Sequence, residues 1–443
     1  MPPGLKPLLT VVAILTTKSI EQSFPLVAAS NTITVAFTAS VDFVAGSFIT
    51  LAGLAGTQTA DTTSLAVTSS PADVFENGVG VWSLTGETLV LTVATPAPYT
   101  LNPKTHPPPP QIPHPNKSPT PTNPKPQPLH QVAAGGLSAD TDYTVSFVVQ
   151  NGAAAQGAVT ASFLANLDPG GVDYSFLSVD LDSATGNLLS VTNGASPLLL
   201  VVPAFDVYDV GQSMPLVSAS NTITVTLEGN VDFPATSTIT LSGLAGTQTA
   251  DDAALVVGGA DGGLFGSAGD WSDSGTLILT VDSVALSAGT SYTVSFSVQN
   301  TATAQGAVTV SVSASLDSGG VDDSPLGIDM NPDTGFMLGV TNGASPLLTV
   351  VPTFTAKSIG QSSPLNGVKN TLTITLTSDV DLAATSTVTI AGLTGTQTVT
   401  ETAQAITSAP SNYGTAANWD EDGVRSQLLK LEQLAWCCVC ICW

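Results

Sequence analysis

Cysteine, histidine and basic charge are nearly missing from most of this chain, and each absence closes off a class of chemistry. All four cysteines lie at the end, at Cys437, Cys438, Cys440 and Cys442. Residues 1–436 therefore carry no disulfide and no thiolate nucleophile, which leaves the redox compartment open. The three histidines, His106, His114 and His130, are confined to one proline-rich stretch and its border. Elsewhere a Ser/His/Asp or Cys/His catalytic set is excluded, because both need an imidazole to take the proton. No Lys or Arg occurs between Lys125 and Lys357, and Arg425 is the one arginine. Phosphate-cradling GxxxxGK[ST] loops need such a cation and are absent. No apolar run is long enough to span a bilayer as a helix.

What is present suffices to fold. Of 443 residues, 43% are hydrophobic and only 10% charged. That length allows two to four domains with their own cores, and the polar surface must come from Ser, Thr, Asn, Gln and Gly. Acidic residues outnumber basic ones 34 to 9, for a formal net charge of −25. Such a surface repels phosphate backbones and anionic lipid, so nucleic acid is not an expected partner.

The chain repeats itself. GLAGTQTAD at 53–61 returns at 243–251 and again as GLTGTQTVT at 392–400. NTITVAFTASVDF (31–43) is matched by NTITVTLEGNVDF (221–233) and NTLTITLTSDVDL (370–382). Leu51, Leu241 and Ile390 correspond, so copies one and two are 190 residues apart and copies two and three 149. The excess in copy one is an insertion, and residues 96–128 hold 14 of the 30 prolines. That composition implies extended polyproline II without a core, read as a tolerated loop insertion or translated non-coding sequence before a PxxP ligand. Asn116-Lys117-Ser118 within it is the one glycosylation sequon. PLLTVV occurs at 7–12 and 346–351, and PLLLVV at 197–202. A string reused inside the chain reads as module structure rather than as a signal peptide, and the chain is expected to begin within a longer array. The division is an N-terminal fragment end at 1–6, repeat one at 7–196 with the insertion at about 96–135, and repeat two at 197–345. An incomplete repeat three covers 346–424, and a non-repeat Cys-rich tail covers 425–443.

Within each copy apolar and polar residues alternate. In TITVTL, Ile223, Val225 and Leu227 share one face and Thr222, Thr224 and Thr226 the other. Period two with β-branched residues and Gly/Ser/Asp/Asn turns predicts half-buried antiparallel strands in a sandwich or barrel. LSADTDYTVSF (137–147) and LSAGTSYTVSF (286–296) place Leu137 and Leu286 six residues before Tyr143 and Tyr292. This resembles the E–F corner of fibronectin type III and related Ig-like repeats, of the kind strung along microbial surface proteins. The resemblance implies tandem β-sandwiches and a tyrosine corner, in which the hydroxyls of Tyr143 and Tyr292 bond upstream backbone and pin the crossover between sheets. It implies no active site. The segment 317–345, about 30 residues in each copy, has no assignment from it.

Carboxylates are the remaining source of chemistry. Asp42, Asp232 and Asp381 recur at one repeat position beside a strand end, which fits a turn or cap. The nearest approach to a ligand set is DMNPDTG, with Asp329, Asn331 and Asp333 before Gly335. Alternating oxygen ligands on a tight glycine turn are what a calcium loop needs. Here glycine stands seventh rather than sixth, no Glu takes the twelfth position, and the matched DLDSATG (180–186) has Ala184 in the third ligand's place. The expectation is no cofactor, with calcium as the weak alternative. Trp82, Trp271 and Trp419 each precede a strand and read as core rather than sugar-stacking platforms. GTQT recurs too rarely to form the stacked threonine ranks of an ice-binding face.

At Arg425 the repeat pattern stops, giving way to RSQLLKLEQLAWCCVCICW. The stretch 426–436 carries the first helix-like pattern of the chain. CICW has the outline of a prenylation box with an unusual last residue, and the cysteines lack the spacing of a tetrahedral zinc site. A frameshift or intron read-through accounts for these changes together, leaving copy three without its last strands and with an open sheet edge.

These readings point to a non-enzymatic cell-surface or extracellular repeat protein acting as stalk, spacer or adhesin. Its expected partners are neighbouring repeats and protein or glycan surface ligands. The alternatives are ligand-binding modules, calcium-dependent or carbohydrate-binding, or accessory repeats of an enzyme whose catalytic domain lies outside the chain. A loop lengthened fivefold costs only about 1–2 kcal/mol in closure entropy, so module one is expected to fold around its insertion. Trypsin should cut the native chain first at Lys104, Lys117 or Lys125, leaving two stable fragments. Protection of those sites would show that the tract packs against the strands.

Overall fold

The computed structural model describes residues 12–95, 136–167, 176–316, 326–383, 386–409, 416–420, 426–428 and 437–442. The chain divides into two compact units, Met1–Val202 and Pro203–Trp443. Regular structure among the described residues is strand, apart from one 3-10 turn at Gly262–Phe265. The proline-rich tract at 96–135 and most of the 7–12 string lie outside the described residues.

The first unit runs through β1 (Leu15–Gln22), β2 (Ser30–Ala39), β3 (Phe48–Ala52), β4 (Thr62–Ser70), β5 (Phe75–Ser83) and β6 (Thr88–Val93). It continues through β7 (Asp142–Gln150), β8 (Ser162–Asn166), β9 (Phe176–Asp180) and β10 (Asp182–Ser183). Hydrogen bonds order them β10-β1-β2-β7-β4-β5-β6-β3-β8-β9. This row turns over within β4, whose first half pairs with β5 at Thr62↔Trp82 and whose second half pairs with β7 at Val67↔Phe147. Two layers result, joined by that strand. Alternation decides which side faces in: Ile33, Val35 and Phe37 of β2 are buried while Thr34 and Ala36 between them are not. Phe37 meets Phe163 of β8 at 4.9 Å between centroids, and Trp82 of β5 meets Phe147 of β7 at 6.4 Å, so rings from the two layers interdigitate. Each such buried Phe contributes about 1.5–3 kcal/mol.

The second unit opens with β11 (Phe205–Gln212), β12 (Ser220–Gly229), β13 (Thr238–Ser242), β14 (Asp252–Gly258), β15 (Ala268–Ser272) and β16 (Thr276–Thr280). It goes on with β17 (Tyr292–Gln299), β18 (Ser311–Ser315), β19 (Leu326–Asp329) and β20 (Asn331–Pro332). Their order repeats that of the first unit strand for strand. In immunoglobulin terms β1-β2-β7-β4 corresponds to A-B-E-D and β3-β8-β9 to C-F-G. β5 and β6 widen the second layer beside β3. The fold is the all-β, Ig-like sandwich that the sequence leads one to expect.

The third module comprises β21 (Phe354–Gln361), β22 (Thr371–Ser378), β23 (Val388–Ile390), β24 (Glu401–Ala409), β25 (Ala416–Trp419), β26 (Ser426–Leu428) and β27 (Cys437–Cys442). Its buried cluster is small: Ile374, Val388, Ile406 and Ala417. The tail corrects one expectation. Instead of leaving an open edge, the backbone of Cys437–Cys442 pairs with β22 at Ile374↔Val439 and with β24 at Ile406↔Ile441. That is the place held by β7 and β17 in the other modules. Ser426–Leu428 is also strand, against β23, so the helix-like pattern does not set the conformation where it begins. Residues 429–436 lie outside the described residues.

The repeat boundaries correct another. PLLLVV at 197–202 closes the first module rather than opening the second. Leu198 and Leu200 are buried, Leu200 and Gln156 exchange backbone bonds of 2.9 Å, and Val201 N donates to Pro25 O at 2.8 Å. PLLTVV at 346–351 does the same for module two, where Thr349 and Gln305 exchange bonds of 2.9 Å and Val350 N donates to Pro215 O at 2.8 Å. The division therefore falls after Val202 rather than after 196, and the second closing segment lies beyond 345. Repeats align in any phase, and only the packing selects where a module ends.

Candidate functional site

In modules one and two a densely bonded place is the seat of the closing segment, built on three amide side chains. In module one these are Gln22 at the end of β1, Asn31 at the start of β2, and Asn151 just past β7. All three are buried, with Asn31 and Asn151 fully enclosed. An unpaired amide there costs a few kcal/mol, so every polar atom needs a partner. Asn31 Nδ2 donates to Gln22 Oε1 and to Asn151 Oδ1, both at 2.9 Å. Its Oδ1 accepts from the backbone N–H groups of Ser23 and Phe24. Asn151 Nδ2 donates to Phe24 O and Leu26 O. Gln22 then grips the closing segment: Nε2 donates to Gly194 O (2.8 Å) and Leu199 O (2.9 Å), and Oε1 accepts from Leu198 N (2.9 Å).

Module two repeats this arrangement. Asn221 Nδ2 reaches Gln212 Oε1 at 2.8 Å and Asn300 Oδ1 at 2.9 Å, and Gln212 Nε2 donates to Gly343 O and Leu348 O at 2.8 Å. In module three Asn370 Nδ2 still reaches Gln361 Oε1 at 3.0 Å, but Gln361 is exposed and no third amide joins among the described residues. Sequence reasoning missed this triad, since polar residues at strand ends read as surface. Its signal was present in the repeated QSFPL, QSMPL and QSSPL strings and in the twice-written VQN.

The repeated GTQT stretch floors the same seat. Gly56 (φ +87°) and Gly246 (φ +92°) adopt left-handed backbone, and a Cβ on either would come within 2.1 Å of the Gln156 or Gln305 side chain. The left-handed φ favours glycine there, and any Cβ would also push the Gln156 or Gln305 amide out of its place. Gln58 Nε2 donates to Asn151 O, Thr59 Oγ1 accepts from Gln150 N, and Thr59 O accepts from Trp82 Nε1. Gln248, Thr249 and Trp271 repeat all three bonds. Trp82, Trp271 and Trp419 are buried and offer no face to a sugar.

Tyr143 Oη accepts from Ser138 N, and Tyr292 Oη from Ser287 N, at 2.7 Å each. Leu137 and Leu286, both buried, bridge to Phe43 and Phe233. The location differs from the one that the resemblance implies: β7 and β17 pair with β2 and β12, so the tyrosines open the E-equivalent strand rather than F. Asp42 and Asp232 act as caps, accepting from Ala139 N (2.6 Å) and Ala288 N (2.8 Å). At the entry to module three Thr353 donates to Asp379 from both N and Oγ1. The hydroxyl bond above all holds that carboxyl below the usual carboxylate range.

The calcium candidate is strung out rather than curled into a loop, with Asp329 and Asn331 in strands and Asp333 just past the second. Asp329 ends β19 and accepts from Ser311 Oγ at 2.6 Å. Asn331 pairs with β11 and donates Nδ2 to Asp209 Oδ1 at 3.2 Å, while Asp333 Oδ1 accepts from Gly335 N at 2.8 Å. The three side chains thus serve three different partners. A shallow groove of about 400 Å³ beside Asn331 is lined by Asp209, Gly211, Thr224 and Thr226. In module one the corresponding place holds an ion pair, Lys18 Nζ to Asp182 Oδ1 at 3.1 Å. No cluster of three or more His, Cys, Asp or Glu side chains fit to hold a metal occurs among the described residues.

No family model matches the chain, and no curated protein matches it. Solved structures similar to the chain at low identity include domains of bacterial proteins and a marsupial T cell receptor. The C-terminal domain of the Streptococcus agalactiae AgI/II polypeptide BspA is 11% identical over 71% of this chain and 99% of that one, with a TM-score of 0.31. The collagen adhesin of S. aureus is 11% identical over 72% and 92%, with a TM-score of 0.19. The collagen binding domain of the Erysipelothrix rhusiopathiae surface protein RspB is 11% identical over 71% and 95%, with a TM-score of 0.17.

Two outcomes test the site. Replacing Asn221 with Ala takes the donor from two buried amide oxygens and the acceptor from Met214 N, while Ser213 N keeps Thr222 O, and should destabilise module two by roughly 3–5 kcal/mol. The same change at Asn370 should cost under about 1 kcal/mol, since its network is partial. Hydrogen exchange under rising urea, read by mass spectrometry on the full chain, resolves the modules; equal losses at both positions would contradict the triad's role. Millimolar calcium should shift melting by less than about 1 °C, because a ligand with Kd far above its concentration stabilises negligibly. A rise of many degrees would show that Asp329, Asn331 and Asp333 rearrange to bind it.

Proposed function

We propose that this chain is a non-enzymatic spacer or stalk of a cell-surface or extracellular protein, whose modules transmit tension between an attachment point and whatever its surface contacts. The observation that carries this reading is the parallel closure of modules one and two. β1 runs parallel to β10 at Ser19↔Asp182 and Ile20↔Ser183, and β11 parallel to β20 at Asp209↔Asn331 and Val210↔Pro332. Leu26↔Val201 and Leu216↔Val350 add parallel bridges to the closing segments. Force on a module in series enters at the start of its first strand and leaves at the end of its closing segment. When those strands are parallel the pull slides one along the other, so the bonds between them must fail together. An antiparallel closure would unzip one bond at a time.

The junction within the second unit supports the same reading. Only Pro352 and Thr353 separate Val351 from β21, and Asp381 N of module three donates to Leu338 O of module two at 2.8 Å. The repeated motifs are absorbed by folding, which leaves adhesion to exposed side chains. In this reading protein or glycan ligands meet the Ser/Thr-rich faces.

Stretching single molecules between their termini tests it. Modules one and two should each unfold in one discrete event, with a length increment of about 50 nm for the 149 residues of repeat two and about 65 nm for the 190 of repeat one, extended at 3.3–3.6 Å per residue. A featureless extension at low force would remove the mechanical role.

A further inference from the structure

Modules one and two share their strand order but differ at one edge, where the chain crosses from the second layer (β9 or β19) to the first (β10 or β20). In module one Lys18 of β1 ties that crossing: its Nζ donates to Asp180 O at 2.7 Å and to Asp182 Oδ1 at 3.1 Å. In module two the same positions carry Tyr208, Asp329 and Asn331. The ammonium and its carboxylate partner are thus both replaced, by a phenol and an amide. A groove of about 620 Å³ lies there, lined by Tyr208, Ser311, Gly327, Ile328, Asp329 and Asn331. That volume falls within the range of about 300–1,000 Å³ common to small-ligand sites.

The groove sets open hydrogen-bonding positions beside an aromatic ring. Asp329 engages Ser311 Oγ through Oδ1 at 2.6 Å, and its Oδ2 has no partner among the described residues. Asn331 gives one N–H to Asp209 Oδ1 at 3.2 Å, which leaves its second N–H and its Oδ1 open among those residues. Tyr208 adds a hydroxyl able to donate and to accept. Tyr208 and Ser311 are half-buried while Gly327, Asp329 and Asn331 are exposed, so the ring is held and the polar groups are reachable from solvent. A matching ligand offers an apolar face to the ring and neighbouring hydroxyls to a carboxylate and an amide. Sugar rings do both: C–H groups line one face, and hydroxyls donate to Asp and exchange bonds with Asn. Charge narrows the class further. No Lys or Arg occurs between Lys125 and Lys357, so a sialylated or sulfated sugar meets Asp329 and Asp209 with no cation to offset the repulsion. An extended peptide would instead pair its backbone along β19, the edge strand of its layer, and would be indifferent to Tyr208.

We propose that this groove on module two binds an uncharged saccharide, with Tyr208 stacking on the sugar ring and Asp329 and Asn331 fixing its hydroxyls. This rests on the surface reading above and names the place where a glycan is met. Ser311 already holds Asp329 Oδ1 and Asp209 holds Asn331 Nδ2, so both polar groups are oriented before a ligand arrives, which lowers the ordering cost of binding. Module one has the same strands around the crossing, but its Lys18 is bonded across it and offers no ring. The difference between the copies is therefore confined to a few side chains on a shared frame.

The full chain is applied in EDTA, so that no metal bridges a sugar, to an array of uncharged and sialylated oligosaccharides. Uncharged members should retain it and sialylated ones should not, and calorimetric titration with the best-retained oligosaccharide then gives Kd. Tyr208→Phe keeps the ring and should weaken binding by about threefold, whereas Tyr208→Ala should weaken it by at least about tenfold. Tyr208→Lys combined with Asn331→Asp rebuilds the ion pair of module one and should abolish binding. Hydrogen exchange of β11 and β19 reports that each variant is folded, and Tyr208→Phe against Tyr208→Ala carries the test alone if the double variant is not. An array that retains nothing overturns the proposal, as does retention by sialylated members alone or binding that survives the double variant. Retention on an array of extended peptides but not of glycans, unchanged by Tyr208→Ala, gives the edge of β19 to a protein partner and overturns it as well. None of these results alters the stretching outcome, so failure of the groove and failure of the spacer reading are told apart.

Discussion

Everything in a module depends on the obligation to satisfy three amides buried between its layers. Asn31, Asn151 and Gln22 sit where apolar side chains would be expected, and their transfer from water is favourable only if every donor and acceptor finds a partner. Those partners come from four separate stretches: the turn after β1, the start of β2, the loop after β7 and the closing segment. The triad therefore fixes the relative positions of pieces far apart in sequence. An apolar core specifies volume and tolerates rearrangement, whereas an amide network accepts one register. Three near-identical copies of Gln and Asn along the chain follow from that constraint.

Much of the fold was legible because it rests on local periodicity. Strict alternation in NTITVTL or TLILTV can only be a half-buried strand, and positive-φ glycines in GLAGTQT mark the turn after it. The rest depended on packing. β4 changes layers midway, so no alternation over its whole length announces one buried face. Polar residues at strand ends look like surface until a distant segment covers them. The phase of a repeat is invisible in principle, since PLLLVV looks the same whether it ends one module or begins the next. The ligand-like DMNPDTG looked like a bend because of its Asp, Asn, Pro and Gly, yet its first half is strand against Ser311 and Asp209.

The tail shows the limits of propensity in the opposite direction. Cys437–Cys442 shares no sequence with YTVSFSVQ, yet its backbone lies between β22 and β24. A central gap in a sheet presents unpaired N–H and C=O groups on both sides, and an extended stretch within reach satisfies them. Which letters fill such a gap matters less than that something extended does.

The seat also sets an order of events during synthesis. Gln22 Oε1 waits for the N–H of Leu198, 176 residues further along the chain. At about 5–20 residues per second, that separation takes roughly 10–35 s to make. Throughout that time the first strands exist without the segment that seals them, their amides paired only with water or with each other. Each module thus emerges from the ribosome open and shuts at the moment the next one begins.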